Sequence, residues 1–239
     1  MKLVDFAGIK VDNLSLGEAV ATIQGFTEAS DPHLIVTPNP EMIVAAQGDQ
    51  ELKEIINSAS LRLPDGISMV VVSRILGTPL KERVTGIDLM LKIINVCSRN
   101  GRKIFLLGGK PGVAEAAAGK LLAKFPGTNI VGTHHGYFNK DIEVIQAIKD
   151  TKPDILFIGL GAGKQEKWAN MHLKEFKVPL VMTVGGSLDV ISGRKKRAPQ
   201  WIQNLYIEWL YRLITEPDRW KRQLALPKFL YLTLLKKVI

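Results

Sequence analysis

Short apolar, β-branched runs alternate with stretches of helical period along residues 1–193 of this chain. Ser15 and Glu18 have capping-box spacing and open a helix that runs to about Ala29. His33–Thr37 reads as a strand stopped by Pro38; helical stretches at about Glu41–Gln47 and Gln50–Ala59 follow, then a short strand, Leu61–Leu63. Pro64-Asp65-Gly66 is a turn before the strongly apolar helix Ile67–Leu76, and Gly101 is placed to end the helix Gly86–Asn100 in a left-handed cap. Beyond it the pattern predicts strands at Lys103–Leu107, Asn129–Thr133, Ile155–Leu160 and Leu180–Val184. Helices at Val113–Phe125, Ile142–Asp150 and Lys164–Glu175 separate them. Strands alternating with helices imply right-handed β-α-β units. The fold class is therefore α/β, a Rossmann-like parallel sheet covered by helices on both faces.

After Ser192–Ala198 the character changes. Arg194 to Ile239 carries 11 Lys or Arg against 3 Asp or Glu, a surplus of 8 in a chain whose net charge is +9. Three of the four Trp (Trp201, Trp209, Trp220) and three of the four Tyr (Tyr206, Tyr211, Tyr231) lie there too. The expected division is thus a nearly neutral core, 1–193, and a basic, aromatic, helical C-terminal appendage, 194–239, that associates with membrane. Leu224, Leu226, Phe229, Leu230, Leu232, Leu234 and Leu235 are interleaved with the charge ahead of Lys236 and Lys237. That mixture suits an anionic lipid surface better than nucleic acid, for which no binding signature is found. Packing of the stripe on the core is the competing reading. No run of 18 apolar residues and no signal-peptide pattern is found, so the expected location is cytoplasmic, peripheral on the inner face of the membrane. The single Cys97 falls in a helical pattern and reads as a buried thiol. Self-association in solution is one way to hide an apolar tail patch.

In a parallel sheet the ligand crevice lies at the carboxyl ends of the strands. The residues just past each predicted strand are Thr37 and Asn39; Asp65 and Gly66; Gly108 and Gly109; Gly136 and Tyr137; Gly161 to Gln165; and Gly185 to Asp189. Small residues there let backbone N–H groups approach an anion, and Leu107-Gly108-Gly109 with Pro111-Gly112 fits a diphosphate or nucleotide loop. Gly159–Lys164 is not a phosphate loop, since Gln165 stands where Ser or Thr is needed. No Gly-x-Gly-x-x-Gly fingerprint calls for a dinucleotide cofactor. No Asp-x-Asp pair offers a metal clamp, and His134-His135 is expected to point its rings to opposite faces. Neither metal nor cofactor is expected. Asp65, between a strand and an apolar helix, reads either as a general base or as a turn or N-cap residue. Arg83 is a phosphate partner or a solvated charge, and Gln165-Glu166 a site element or merely a first helical turn.

Thr37-Pro38-Asn39, Pro64-Asp65-Gly66, Glu82-Arg83-Val84-Thr85-Gly86-Ile87-Asp88, Gly161-Ala162-Gly163-Lys164-Gln165-Glu166 and Arg197-Ala198-Pro199-Gln200-Trp201 occur in this order. Glu208-Trp209-Leu210-Tyr211-Arg212-Leu213 and Glu216-Pro217-x-Arg219 follow. Together they resemble the WecG/TagA/CpsF glycosyltransferase family over essentially the whole chain, its TagA-like branch above all. The resemblance implies transfer of an N-acetylmannosamine-type sugar from a UDP-sugar donor to polyprenyl-diphosphate-linked GlcNAc at the cytoplasmic membrane surface. Inversion at the transferred carbon and no tightly held metal are implied as well. Asp65 matches the proposed base, while Thr37, Arg83 and Gln165 match active-site positions that orient the sugars and diphosphate. Asp189 matches a position near the nucleotide. Arg212, Arg219 and Arg222 match the appendage arginines thought to close over the site and stabilise the departing diphosphate. Relatives often carry Pro at Gly163, a departure expected to loosen the loop bearing Gln165. The alternatives are a same-fold transferase for another UDP-sugar, of mannosamine uronic acid or glucose type, or a non-catalytic nucleotide binder.

Overall fold

The computed structural model describes residues 2–29, 31–205, 207–216 and 220–235, apart from the side chains of Asn204, Arg212, Lys221 and Leu235. A six-stranded, wholly parallel sheet forms its centre, built from β3 (His33–Val36), β4 (Leu61–Arg62), β5 (Lys103–Gly108), β6 (Asn129–His134), β7 (Ile155–Gly159) and β8 (Leu180–Thr183), in the order β4-β3-β8-β7-β5-β6. Alternation along each strand explains why the runs are apolar throughout. Ile35, Ile104, Leu106, Ile155, Phe157, Leu180 and Met182 enter one buried cluster, while Leu34, Val36, Phe105, Leu107, Leu156, Ile158 and Val181 enter the other. Both faces are covered, as a parallel sheet requires.

Helices α1 (Leu16–Phe26), α5 (Gly86–Asn100), α6 (Val113–Lys124) and α9 (Ser187–Ile191) supply residues to the first cluster. The second takes residues from α2 (Pro40–Ala45), α3 (Gln50–Ser58), α4 (Ile67–Ile75), α7 (Asp141–Thr151) and α8 (Lys164–Phe176). The capping box forms as the sequence suggests: Ser15 Oγ accepts from Glu18 N, and Glu18 accepts from Ser15 N. Gly101 takes the left-handed cap at φ 66°.

Two features went unread in the sequence. Residues 3–12 form an antiparallel hairpin, β1 (Leu3–Phe6) and β2 (Ile9–Asp12), whose Val4, Phe6, Ile9 and Val11 are buried in the second cluster. Asp12 anchors it, accepting from Arg62 Nε at 3.0 Å and Nη2 at 3.2 Å and from Arg62 N at 2.8 Å. The short helix α9 is the other. One side-chain expectation is corrected. The His134 and His135 rings do not point to opposite faces but lie 4.6 Å apart, because β6 ends at His134 and His135 no longer follows the strand's alternation.

The appendage is helical but broken: α10 (Gln200–Asn204), α11 (Glu208–Thr215), α12 (Trp220–Gln223), α13 (Ala225–Leu230) and a π-helical turn, Tyr231–Leu235. Part of it belongs to the core. Phe229 is fully buried with its ring 5.8 Å from that of Phe6, and α13 lies along α2.

Candidate active site

The site begins with backbone hydrogen bonds that draw three loops together. Leu63 N donates to Val36 O, Asp65 N to Pro38 O and Val84 N to Pro64 O, so the exits of β3 and β4 and the segment before α5 run side by side. Gly86 opens α5 so close to Thr37 that a methyl in its place would lie 3.1 Å from Thr37 Oγ1 and 4.0 Å from Asp65 Oδ2. Asp65 is not the N-cap of α4, a position held by Gly66 without a side-chain bond. Its Oδ2 instead accepts a long bond from Gly86 N at 3.4 Å, beside the N-terminus of a 15-residue helix. Asn39 caps α2 through Met42 N at 3.0 Å.

Gln165 and Glu166 close the far side. Gln165 Oε1 accepts from Gly185 N at 3.0 Å, and its Nε2 donates to Glu166 Oε1 at 2.6 Å. These two bonds set which end of the amide is which. Glu166 Oε2 accepts from Gly163 N at 2.7 Å. Burial pushes the Glu166 carboxyl above its usual range, against the opposing pull of those donors. The Thr183 hydroxyl lies beside it without a well-formed bond. Gly163 corrects the expectation of a loosened loop: at φ 81° it adopts a conformation closed to proline and donates an N–H that proline lacks. The Gly-for-Pro departure pins this loop by a hydrogen bond.

The resulting cleft, about 360 Å³, spans the carboxyl ends of β4, β3, β8 and β7. Thr37, Asn39, Asp65, Arg83, Gln165 and Arg222 all line it. Its volume falls within the roughly 300–1,000 Å³ usual for small-molecule sites. Gly108, Gly109, Gly136, Tyr137 and Asp189 are not among the lining residues. Gly108, at φ 143°, abuts the next strand so closely that a Cβ would stand 2.4 Å from Gly159 O, and Gly109 N donates to that same carbonyl. Gly136 N donates to Gly109 O, which keeps the β5 and β6 exits together beside the cleft. Tyr137 is exposed, and Asp189 sits half-buried in α9. Arg212 lies in α11 with its side chain outside the described residues, as are Arg219, Lys236 and Lys237 altogether.

A model of the WecG/TagA/CpsF glycosyl transferases matches residues 4–239. The chain belongs to that family. It is similar to the N-acetylglucosaminyldiphosphoundecaprenol N-acetyl-beta-D-mannosaminyltransferases of Staphylococcus aureus strains NCTC 8325 / PS 47, COL and MRSA252. Each is 38% identical over 231 residues, 95% of this chain and 91% of the relative.

The cleft also contains side chains that strand-end reasoning passed over. Lys195 and Lys196, at the expected boundary between core and appendage, line it, as do Glu208, Trp209 and Glu216 further along. Lys195 Nζ pairs with Glu216 at 2.9 Å, and Arg83 Nη2 with Glu208 Oε2 at 2.9 Å. Arg197 Nη2 binds both oxygens of Asp88, at 2.7 and 2.8 Å, which ties the start of the appendage to the first turn of α5. The basic run Arg194-Lys195-Lys196-Arg197 was the available signal; its meaning depended on where the chain turned next.

Proposed function

We propose that this protein is an inverting, metal-independent glycosyltransferase that moves N-acetylmannosamine from UDP-ManNAc to polyprenyl-diphosphate-linked GlcNAc, the step that builds a teichoic acid linkage unit. The observation that carries the reading is the convergence of Thr37, Asp65, Arg83 and Gln165, from four separate segments of the chain, on one cleft in a member of this family. The names of the relatives support this choice of sugar and acceptor. In the reaction an acceptor hydroxyl attacks the anomeric carbon from the face opposite UDP, Asp65 takes the hydroxyl proton, and the sugar–phosphate bond breaks. About one further negative charge develops on the departing diphosphate. Guanidinium groups suit it, being always charged and able to bind phosphate through two parallel bonds. Arg83 and Arg222 on the cleft wall, with Arg212 and Arg219, are the candidates for that role.

The acceptor is a lipid, so the site must work at a membrane surface. Among the described residues no helix is long and apolar enough to cross one. Exposed Trp201, Leu205, Trp209, Ile214, Trp220, Leu224 and Tyr231 in a basic appendage support peripheral contact with the cytoplasmic face. Mass spectrometry of the product from a panel of UDP-sugars with a short polyprenyl-diphosphate GlcNAc tests the reading. UDP-ManNAc should give the disaccharide lipid with chelator present, and Asp65→Asn should lower turnover on the order of 10²- to 10⁴-fold while UDP still binds. Turnover with only a uronic acid or glucose donor moves the assignment to those sugars. No product from any donor, or an Asp65→Asn variant near the wild-type rate, refutes it.

A further inference from the structure

The pair Arg83–Glu208 joins residues 125 apart in sequence, one on the core and one on the appendage, inside the wall of the cleft. We propose that Glu208 is a positioning residue for Arg83. Its carboxylate holds the guanidinium at the angle the diphosphate requires, so the arginine is correctly aimed only when α11 is seated. The inference deepens the transferase reading and rests on it.

Arg83 stands on 78–85, a stretch with no helix or strand of its own to fix a long side chain. Its side chain is nonetheless only 14% exposed and that of Glu208 9%. Arg83 donates to Glu208 through one Nη2–Oε2 bond of 2.9 Å. A guanidinium carries five N–H donors in a rigid plane, so a bond to one of them, on a side chain already confined by burial, narrows the directions open to the rest. A carboxylate at this point therefore removes rotamer freedom from the arginine without consuming its capacity for phosphate. Glu208 is also the first residue of α11, and Trp209 beside it lines the cleft, so seating the helix and aiming Arg83 are one event.

A pair that only stapled the appendage to the core would behave differently, and a double-mutant cycle separates the two roles. Steady-state transfer is measured for wild type, Glu208→Ala, Arg83→Ala and the double variant. Glu208→Ala should lower kcat on the order of 10- to 100-fold with little change in donor KM, since a misaimed group loses its interaction mainly in the transition state. Arg83→Ala should lose more, on the order of 10²- to 10³-fold, and the double variant should be no slower than Arg83→Ala alone. Glu208→Gln, which keeps an acceptor oxygen, should recover most of the rate, and Glu208→Leu, which removes both oxygens at similar volume, replaces Glu208→Ala in the cycle if that variant does not fold. Effects that multiply in the double variant, or a wild-type rate for Glu208→Ala, overturn the proposal. If the wild-type chain transfers no sugar, the transferase reading fails by itself. The same cycle is then read in calorimetric affinity for UDP, whose terminal phosphate carries the charge of the leaving group. There Glu208→Ala should weaken binding only while Arg83 is present, and equal weakening in both backgrounds overturns the proposal.

Discussion

Phe229→Ala tests whether the appendage is held by the core or merely follows it. The ring is fully buried, 5.8 Å from the equally buried Phe6, with Leu226 and Leu234 packed against the same cluster. Truncating a buried Phe to Ala costs about 3–5 kcal/mol. If the loss falls on docking of α13, the docking constant drops by roughly two to three and a half powers of ten. The same helix carries Ala225 and Leu226, and the preceding one Arg222 and Gln223, onto the cleft wall, so undocking removes that wall without touching Asp65, Thr37 or Gln165. Hydrogen exchange read on α13 amides, together with transfer assays, measures both effects. The variant should lose protection in α13 while β5, β7 and β8 keep theirs, and transfer should fall with the docked fraction. Unchanged α13 protection at full activity would show that Phe229 is not what seats the appendage. Loss of protection throughout the sheet would show that the appendage is not separable from the core.

The Glu166 carboxyl titrates above its usual 4.5 in the folded protein because it is buried, so the folded chain holds a proton there that the unfolded chain has released. Stability from this group is therefore greatest below about pH 4.5 and is lost as pH rises through the folded-state value. Glu166→Gln should abolish that slope; parallel melting curves for variant and wild type across the range would refute the assignment. Cys97 is 4% exposed, and burial pushes its thiol up to about 11. At pH 8 only about one thiol in a thousand is ionised, so a disulfide reagent should label it far more slowly than in denaturant; equal rates would show an accessible thiol.

The sheet and its order of elements were legible because two-sided burial writes each strand as a continuous apolar run flanked by glycine and proline, as at Leu107-Gly108 or Pro64-Asp65-Gly66. The hairpin at residues 3–12 was not, since its alternation is short and its partners are remote: Val4, Phe6, Ile9 and Val11 pack into the second cluster, and Arg62, fifty residues away, grips Asp12. Of the residues the strand-end rule selected, Thr37, Asn39, Asp65 and Gln165 line the cleft. The rule also collected Gly108, Gly109 and Gly136, which the close approach of neighbouring backbone accounts for sterically. Lys195, Lys196 and the pairing of Arg83 escaped it because they depend on how a later part of the chain folds back. No local pattern encodes a contact across 125 residues.

That return of the chain explains why position 83 suits arginine. Among the described lining residues Arg83, Lys195, Lys196 and Arg222 face the carboxylates of Glu41, Asp65, Glu208 and Glu216, four against four. On the proposed reading, a diphosphate entering among these groups must find donors without stripping the acids of their partners, since an uncompensated buried charge costs on the order of 3–5 kcal/mol. A lysine answers with one point charge, and Lys195, already paired with Glu216, has the more exposed and less costly position, at 45% against 14% for Arg83. At the buried position a planar guanidinium can keep Glu208 on one edge and offer the other to phosphate, which an ammonium cannot do with the same geometry. The appendage carboxylate and the anionic substrate then need not compete for the cation. On the proposed reading, each takes a different edge of it.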